Sequence, residues 1–449
     1  MLRRIVPVGL VRQLIGAAVY SGCIRLAGML MTFLVGVQLA RYLGSEGYGA
    51  YGTVMAVVMI LAIPAQLGLP QLMTRELSTV AVTGLVGRAR AALKWFPVSV
   101  GTAACLMMLI AFAILAAWPG EADPLFARTL IWGLASVPLT ALITLSIGAL
   151  RGLHRVVSGQ FYDALLRPAV LAMLLFGANA MDTITPAGAM VLQAVASLLV
   201  LVVAFVHMRR SIPAAWASVP PRSAPAFWMQ TAVPMSASEI MFVINGQYPI
   251  LLLGVLAPFD EVGVFRVAVA IAALASFTTT LVHLVVMPYL AQFNAAGDFV
   301  RLRLLSSAAA VAAFAGTAFT GLLLLVTGKP LLASFFGPEF VPAWQPMMIM
   351  TFAVLVNASF GAAPVLLNMC GRSRSLTAAL ACGPLVGAVV TVGLYPWLRI
   401  DAAAVGMVCA ELVKGLWMTR AAVRGLGVNP TLGSARVLAR FLFRDRLGA

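Results

Sequence analysis

Arg25 is the residue that most demands a chemical account, because it lies inside the long apolar run 14–40. A central arginine costs a membrane-spanning helix about 2.5–3.5 kcal/mol on insertion scales, so something must offset it. Ser21, Arg25, Gly28, Thr32 and Gly36 recur at helical spacing and make one small, polar stripe on an otherwise apolar helix. Two readings fit that stripe. In one, the guanidinium faces a water-filled cavity, where its planar fork takes two oxygens of an oxyanion such as a phosphate. In the other, the stripe is a helix-packing seam, with Arg25 bonded to backbone carbonyls or a buried acid.

The other charges within apolar runs are few. Glu239 shares a face with Ser236, Gly246 and Gln247 in the run 226–256. It reads as a proton or cation carrier, as a counter-charge that holds Arg25, or as a static partner that only fixes packing. Arg41 and Arg266 stand near the ends of their runs, where they would attract an anionic headgroup or anchor the interface. Glu411 and Lys414 are three apart in the last run, the spacing of a local pair. His154, His207 and His283 show no ligand spacing, and the five cysteines are scattered without a CxxC. They read as packing residues rather than as metal ligands or disulfides.

No nucleophile elbow, HExxH helix or Walker motif is present. Hydrolytic and transferase chemistry therefore have no support. Any energy would come from an ion gradient (H+ or Na+) or from the substrate gradient, and no cofactor is implied.

The elements that must position these residues follow from composition. Hydrophobic residues make up 62% and charged residues 10% of 449, with a mean hydropathy of +1.01. A soluble domain carries about 25% charged residues, so lipid must cover most of this exterior. The apolar runs are continuous rather than alternating, which excludes a β-barrel. The fold class is an all-α polytopic membrane protein of about twelve transmembrane helices, each needing about 20 apolar residues. The expected spans are 14–40, 49–69, 93–118, 127–150, 160–181, 185–208, 226–256, 262–290, 303–327, 342–367, 375–398 and 402–422. Pro64, Pro138, Pro234, Pro249, Pro364 and Pro384 interrupt some of them. The first run is read as a retained helix, not a signal peptide.

The net charge of +16 would suggest nucleic acid in a soluble protein. Here the basic residues sit in short loops and no nucleic-acid module is visible. With the N-terminus placed in the cytoplasm, 24 of the 30 lysines and arginines fall on that side. Only Arg41, Arg128, Arg266, Lys329 and Arg399 fall on the other, and Arg25 is within a span. This bias sets both termini in the cytoplasm.

Leu39–Gly52 (LARYLGSEGYGAYG) resembles Leu253–Val267 (LGVLAPFDEVGVFRV) at an offset of 214. Glu46 aligns with Asp260, Gly49 with Gly263 and Tyr51 with Phe265. LPQL at Leu69–Leu72 and MPYL at Met287–Leu290 follow in the same order. A duplication of six helices gives halves of like orientation, related by a pseudo-twofold axis along the membrane normal. Proteins so built hold their substrate between the halves and alternate access by rocking. The expected organisation is a six-helix lobe over 1–208, a cytoplasmic linker over 209–225, a second six-helix lobe over 226–425 and a basic cytoplasmic tail over 426–449.

ARYLGSEGYGAYG with LGLPQLMTREL, ALRGLHRV with RPAV, EVGVFRVAVAIA, and FGPEF leading to VNASFGAAPVLLNMCGRSRS are spread over nearly the whole chain. In this ordered set the sequence resembles the polysaccharide-transporter, or O-antigen flippase, family of the multidrug/oligosaccharidyl-lipid/polysaccharide exporter superfamily. The resemblance implies a MATE-like fold in the bacterial inner membrane. It implies movement of an undecaprenyl-diphosphate-linked oligosaccharide from the cytoplasmic to the periplasmic leaflet, for O-antigen or exopolysaccharide synthesis. Its implied partners are that lipid-linked oligosaccharide, membrane lipids and polysaccharide polymerase or export machinery, with no nucleic acid. On this reading Arg25, Arg41, Arg266, Thr32 and Gln247 line the cavity, and Glu239 couples an ion or serves as counter-charge. One departure stands out: related sequences often carry an acid in the seventh helix where this chain has Gln247-Tyr248-Pro249. The alternatives are a drug or cation antiporter of the same superfamily, a membrane glycosyltransferase or polymerase, and a scaffold that transports nothing.

Overall fold

Backbone donors and acceptors inside an apolar layer must be paired within their own helix. The computed structural model describes residues 8–117, 123–181 and 184–434, and among these it contains helices and short turns but no β-strand. The side chains of 8–19, 21, 81, 82, 233, 234, 238, 288 and 434 are not described. Arg3, Arg4 and the tail residues Arg436, Arg440, Arg444 and Arg446 lie outside the described residues, as do the side chains of Arg12 and Ser21.

Ten of the described helices are long and apolar enough to cross a membrane, or eleven with one bent pair counted as a span. The first of the ten, Gly22–Gln66, is 45 residues long. At 1.5 Å per residue it would measure about 68 Å, roughly twice the apolar layer. It is broken once, at Gly44, with φ 66° and ψ −179°. That conformation is open essentially to glycine alone. Counted as two arms, this helix brings the spans to twelve, in the order expected from the apolar runs.

Several spans depart from straight helices, and each departure has a local cause. The fourth divides into Pro124–Leu134 and Ser136–Gly152. Pro138 lacks the N–H that the Leu134 carbonyl would accept. The eighth is not one helix over 262–290 but the pair Phe259–Ala275 and Phe277–Ala295, bent by 43°. At the bend the Ser276 hydroxyl donates to the Ala273 carbonyl (2.7 Å), and Thr280 donates to that of Ser276 (3.1 Å). Such back-bonding competes with the helical ladder and bends it. The tenth span stops at Ser359 and resumes as Ala363–Met369.

By packing, the chain forms two compact units, Met1–Val243 and Ile244–Ala449. In the N-terminal unit the arm after Gly44 is deeply buried, with Ala50, Val54 and Ala62 fully enclosed. The linker 209–225 is docked on this unit. Arg90 donates to the carbonyls of Ala217 (2.7 Å) and Val219, and the Arg222 N–H donates to the Gly87 carbonyl at 2.8 Å. Glu76, almost buried, pairs with Arg88 at 2.5 Å. The guanidinium of Arg88 also lies 4.1 Å above the Phe227 ring. Trp228 is fully buried, edge-on to Phe96 at 5.0 Å and tilted against Trp95 at 5.5 Å. The start of the helix Pro225–Leu256 thus packs with the N-terminal unit.

In the C-terminal unit the helices Ser373–Leu398 and Asp401–Leu426 pack closely. Gly406 stands so close to the Gly387 carbonyl that a Cβ there would lie 2.6 Å from it. Arg399, at the turn between these helices, forms an ion pair with Glu261 at the start of Phe259–Ala275.

Candidate functional site

Arg25 is exposed, and among the described residues it forms no ion pair. Glu239 belongs to the same unit and is also exposed, and the two are not paired. The sequence stripe divides in the structure. Gly28 and Gly36 are buried, whereas Arg25 and Thr32 are exposed. A Cβ on Gly28 would lie 2.2 Å from the carbonyl oxygen of Ala164, in the π-helical turn Phe161–Leu166. The small residues are therefore a packing seam, and the guanidinium stands beside that seam rather than in it. The Thr32 hydroxyl donates to the Gly28 carbonyl at 2.9 Å, so its proton is committed to its own helix.

Arg41 lies 16 residues further along the same arm, about 24 Å at 1.5 Å per residue. The two guanidiniums thus stand near opposite ends of an apolar layer about 30 Å thick, too far apart to share one diphosphate. The continuation of the helix to Gly44 also shifts the middle of the span towards Thr32, about 10 Å from Arg25. Arg266 and Gln247 are half-buried and belong to the C-terminal unit. Arg41, Arg266 and Gln247 each engage other groups.

Glu411 and Lys414 form the local pair expected from their spacing, Nζ to Oε1 at 2.7 Å. Nothing in the residue spacing signals that Asn357, 54 positions away, donates to the second carboxylate oxygen at 2.7 Å. Two further polar pairs were also hidden. Tyr162 and His207 meet at 2.6 Å between hydroxyl and Nδ1. Glu76 with Arg88 could have been suspected only from an isolated acid in a basic loop.

The fold is similar to solved membrane transporters of low sequence identity. A multidrug resistance MATE family transporter of the MOP superfamily, in an inward-facing conformation, matches with TM-score 0.70 and 14% identity over 89% of this chain and 96% of the other. The lipid II flippase MurJ, in an inward closed conformation, matches with TM-score 0.68 and 12% identity over 96% and 93%. A mutant of the Vibrio cholerae MATE transporter VcmN matches with TM-score 0.62 and 16% identity over 92% and 98%. No curated protein matches the sequence.

These features define the class: a multi-pass, all-α membrane protein with a MATE-like fold. Residues 16–294 match the family described as polysaccharide biosynthesis protein, and the chain belongs to that family. The motifs FGPEF and VNASFGAAPVLLNMCGRSRS lie beyond the matched residues.

Proposed function

We propose that this chain is a flippase that carries a polyprenyl-diphosphate-linked oligosaccharide from the cytoplasmic to the periplasmic leaflet of the bacterial inner membrane. Its prenyl chain stays in lipid while the diphosphate and sugar pass through the protein. The observation that carries this reading is Arg25: an exposed guanidinium in a membrane-crossing helix that forms no ion pair among the described residues. A diphosphate cannot cross about 30 Å of low dielectric without compensating charge. Membership of a polysaccharide biosynthesis family and a fold shared with a lipid II flippase support the same substrate class. On this reading Arg25 receives the diphosphate in the cytoplasmic half of the path, where substrate loads. Arg41 and Arg266 attract it towards the outer end, Thr32 and Gln247 line the route, and Glu239 serves as counter-charge or ion carrier.

Likeness to multidrug MATE transporters favours a second reading, extrusion of organic cations. A guanidinium on the path with no ion pair among the described residues disfavours it. The experiment is a deletion strain complemented with this chain and scored for both activities. The flippase reading expects restored surface polysaccharide and no ethidium efflux. Ethidium efflux without polysaccharide would select the antiporter.

The orientation makes a further prediction. In a cysteine-free background, single cysteines at Asp123 and Glu339 should react with an impermeant thiol reagent in intact cells. One at Ser223 should react only after permeabilisation. All three positions are exposed, so the reverse pattern would overturn the orientation.

A further inference from the structure

In the N-terminal unit the helices Val86–Ala116 and Pro186–Ser211 both pack on Ser136–Gly152 but hardly on each other. The gap between them is a crevice of about 400 Å³. Pro97 and Val98 form one wall, Leu201, Val202, Phe205 and Met208 the other, and the buried Leu145 its floor. The one hydroxyl among the lining side chains, that of Ser146, donates to the Leu142 carbonyl at 2.9 Å, so the crevice offers no free donor. Val98 and Val202 are 65% and 53% exposed, and such apolar rims on membrane-crossing helices open to lipid rather than water. A basic group stands at the same end of each wall. Lys94 is one turn before Val98, and the Arg209 guanidinium lies 4.9 Å from the centre of the Phe205 ring. Both cations are exposed, and neither forms an ion pair among the described residues. The helices that line the crevice, Leu69–Ser78 included through Met73, carry one acid, Glu76, which Arg88 already holds.

An apolar slot open to lipid with two free cations at one end matches one kind of occupant in both its parts. We propose that the crevice holds an anionic phospholipid of the cytoplasmic leaflet, one acyl chain lying between the two helices and the phosphate held by Lys94 and Arg209. The wall from Leu201 to Met208 rises about 10 Å, enough for the headgroup-proximal part of an acyl chain. A chain in the slot supplies the dispersion contacts that its lining lacks from the neighbouring helix. The phosphate supplies the missing counter-charge, in the manner of basic pockets between membrane helices that take anionic headgroups. A zwitterionic lipid would fill the slot equally well but would bring no net charge to the two cations. The choice of leaflet follows from the orientation given above. The site itself does not depend on the substrate proposed there, because neither cation belongs to that path and its test reads lipid binding rather than transport.

Purified full-length protein in detergent would be unfolded thermally with increasing dioleoylphosphatidylglycerol, dioleoylphosphatidylcholine or inorganic phosphate. Phosphatidylglycerol should raise the Tm and saturate, as a ligand bound only by the folded state requires. The other two should have little effect. Lys94→Gln with Arg209→Gln should need roughly 30-fold more phosphatidylglycerol for half the shift. Val98→Trp keeps both cations and fills the slot from its exposed rim, and it should lose the shift as well. A photoactivatable phosphatidylglycerol should label the wild-type protein within 94–98 and 201–209, a readout that needs no variant. Equal shifts from phosphatidylcholine would overturn the proposal by removing the charge, and equal shifts from phosphate by removing the chain. So would a phosphatidylglycerol shift that both variants keep, or labelling confined to other segments. Undecaprenyl diphosphate that displaces the photolipid where phosphatidylglycerol does not would assign the slot to the transported lipid, and would overturn the proposal too.

Discussion

Arg25→Ala is expected to abolish export of the surface polysaccharide while the protein still accumulates in the membrane. The two halves of that expectation have separate physical grounds. Arg25 is exposed and makes no ion pair among the described residues, so its removal opens no cavity and strands no buried partner. Insertion should not suffer, because losing an arginine from a span removes a cost rather than a contact. Transport should fail for a different reason. Two charge-assisted bonds to a diphosphate, each worth about 1.5–3 kcal/mol, amount to a loss of about 100-fold or more. Arg25→Lys should retain part of the activity, since an ammonium keeps the charge and loses the two-pronged geometry. Export in a deletion strain, normalised to membrane protein level, is the measurement. Unchanged export from Arg25→Ala would remove the residue from the substrate path. Full recovery in the double mutant Arg25→Gln with Glu239→Gln would instead make the two a structural couple. The absence of an ion pair between them argues against that outcome.

Gly28→Val, one turn away, should fail in the opposite manner: the protein itself should be lost. Its Cβ would lie 2.2 Å from the Ala164 carbonyl oxygen, a backbone atom that cannot rotate aside. Overpacking of this kind costs about 1–3 kcal/mol and often more when the obstacle is backbone. Membrane level and Tm should both fall sharply, and Gly28→Ala should show the same effect in weaker form. Thr32→Val is the control on the exposed side. It forfeits only a hydroxyl bond to its own helix and should leave level and Tm nearly unchanged. A stable, abundant Gly28→Val protein would mean that the first helix does not pack on the π turn Phe161–Leu166 as described.

These two residues also mark where the sequence stops being informative. Their shared periodicity was legible, because helical spacing alone puts Arg25, Gly28 and Thr32 on one stripe. Which of them meets a neighbour was not legible, since that contact is supplied by Ala164, 136 positions away. The order of the spans could be read because apolar length is a direct demand of the bilayer. The turn after the first span was legible as glycine-rich, yet not as a break at Gly44 alone, since helical geometry continues on both sides. Pro138 announced the division of the fourth span. The bend at Ser276 had no proline to signal it and rests on hydroxyl bonds to the backbone. Glu411 and Lys414 were readable as a local pair, whereas Asn357 joined them only through tertiary packing.

The central claim is that a lipid-linked oligosaccharide is the cargo and that the protein changes its leaflet. The most direct measurement is the location of that lipid in a strain lacking this chain. Undecaprenyl-diphosphate oligosaccharide would be extracted and quantified, and its leaflet assigned in intact cells and in inverted vesicles with a membrane-impermeant glycosidase or lectin. The account predicts accumulation on the cytoplasmic leaflet, relieved by the wild-type chain and not by Arg25→Ala. Normal delivery of the oligosaccharide to the periplasmic leaflet without this chain, or no accumulation of any prenyl-linked sugar, would contradict it.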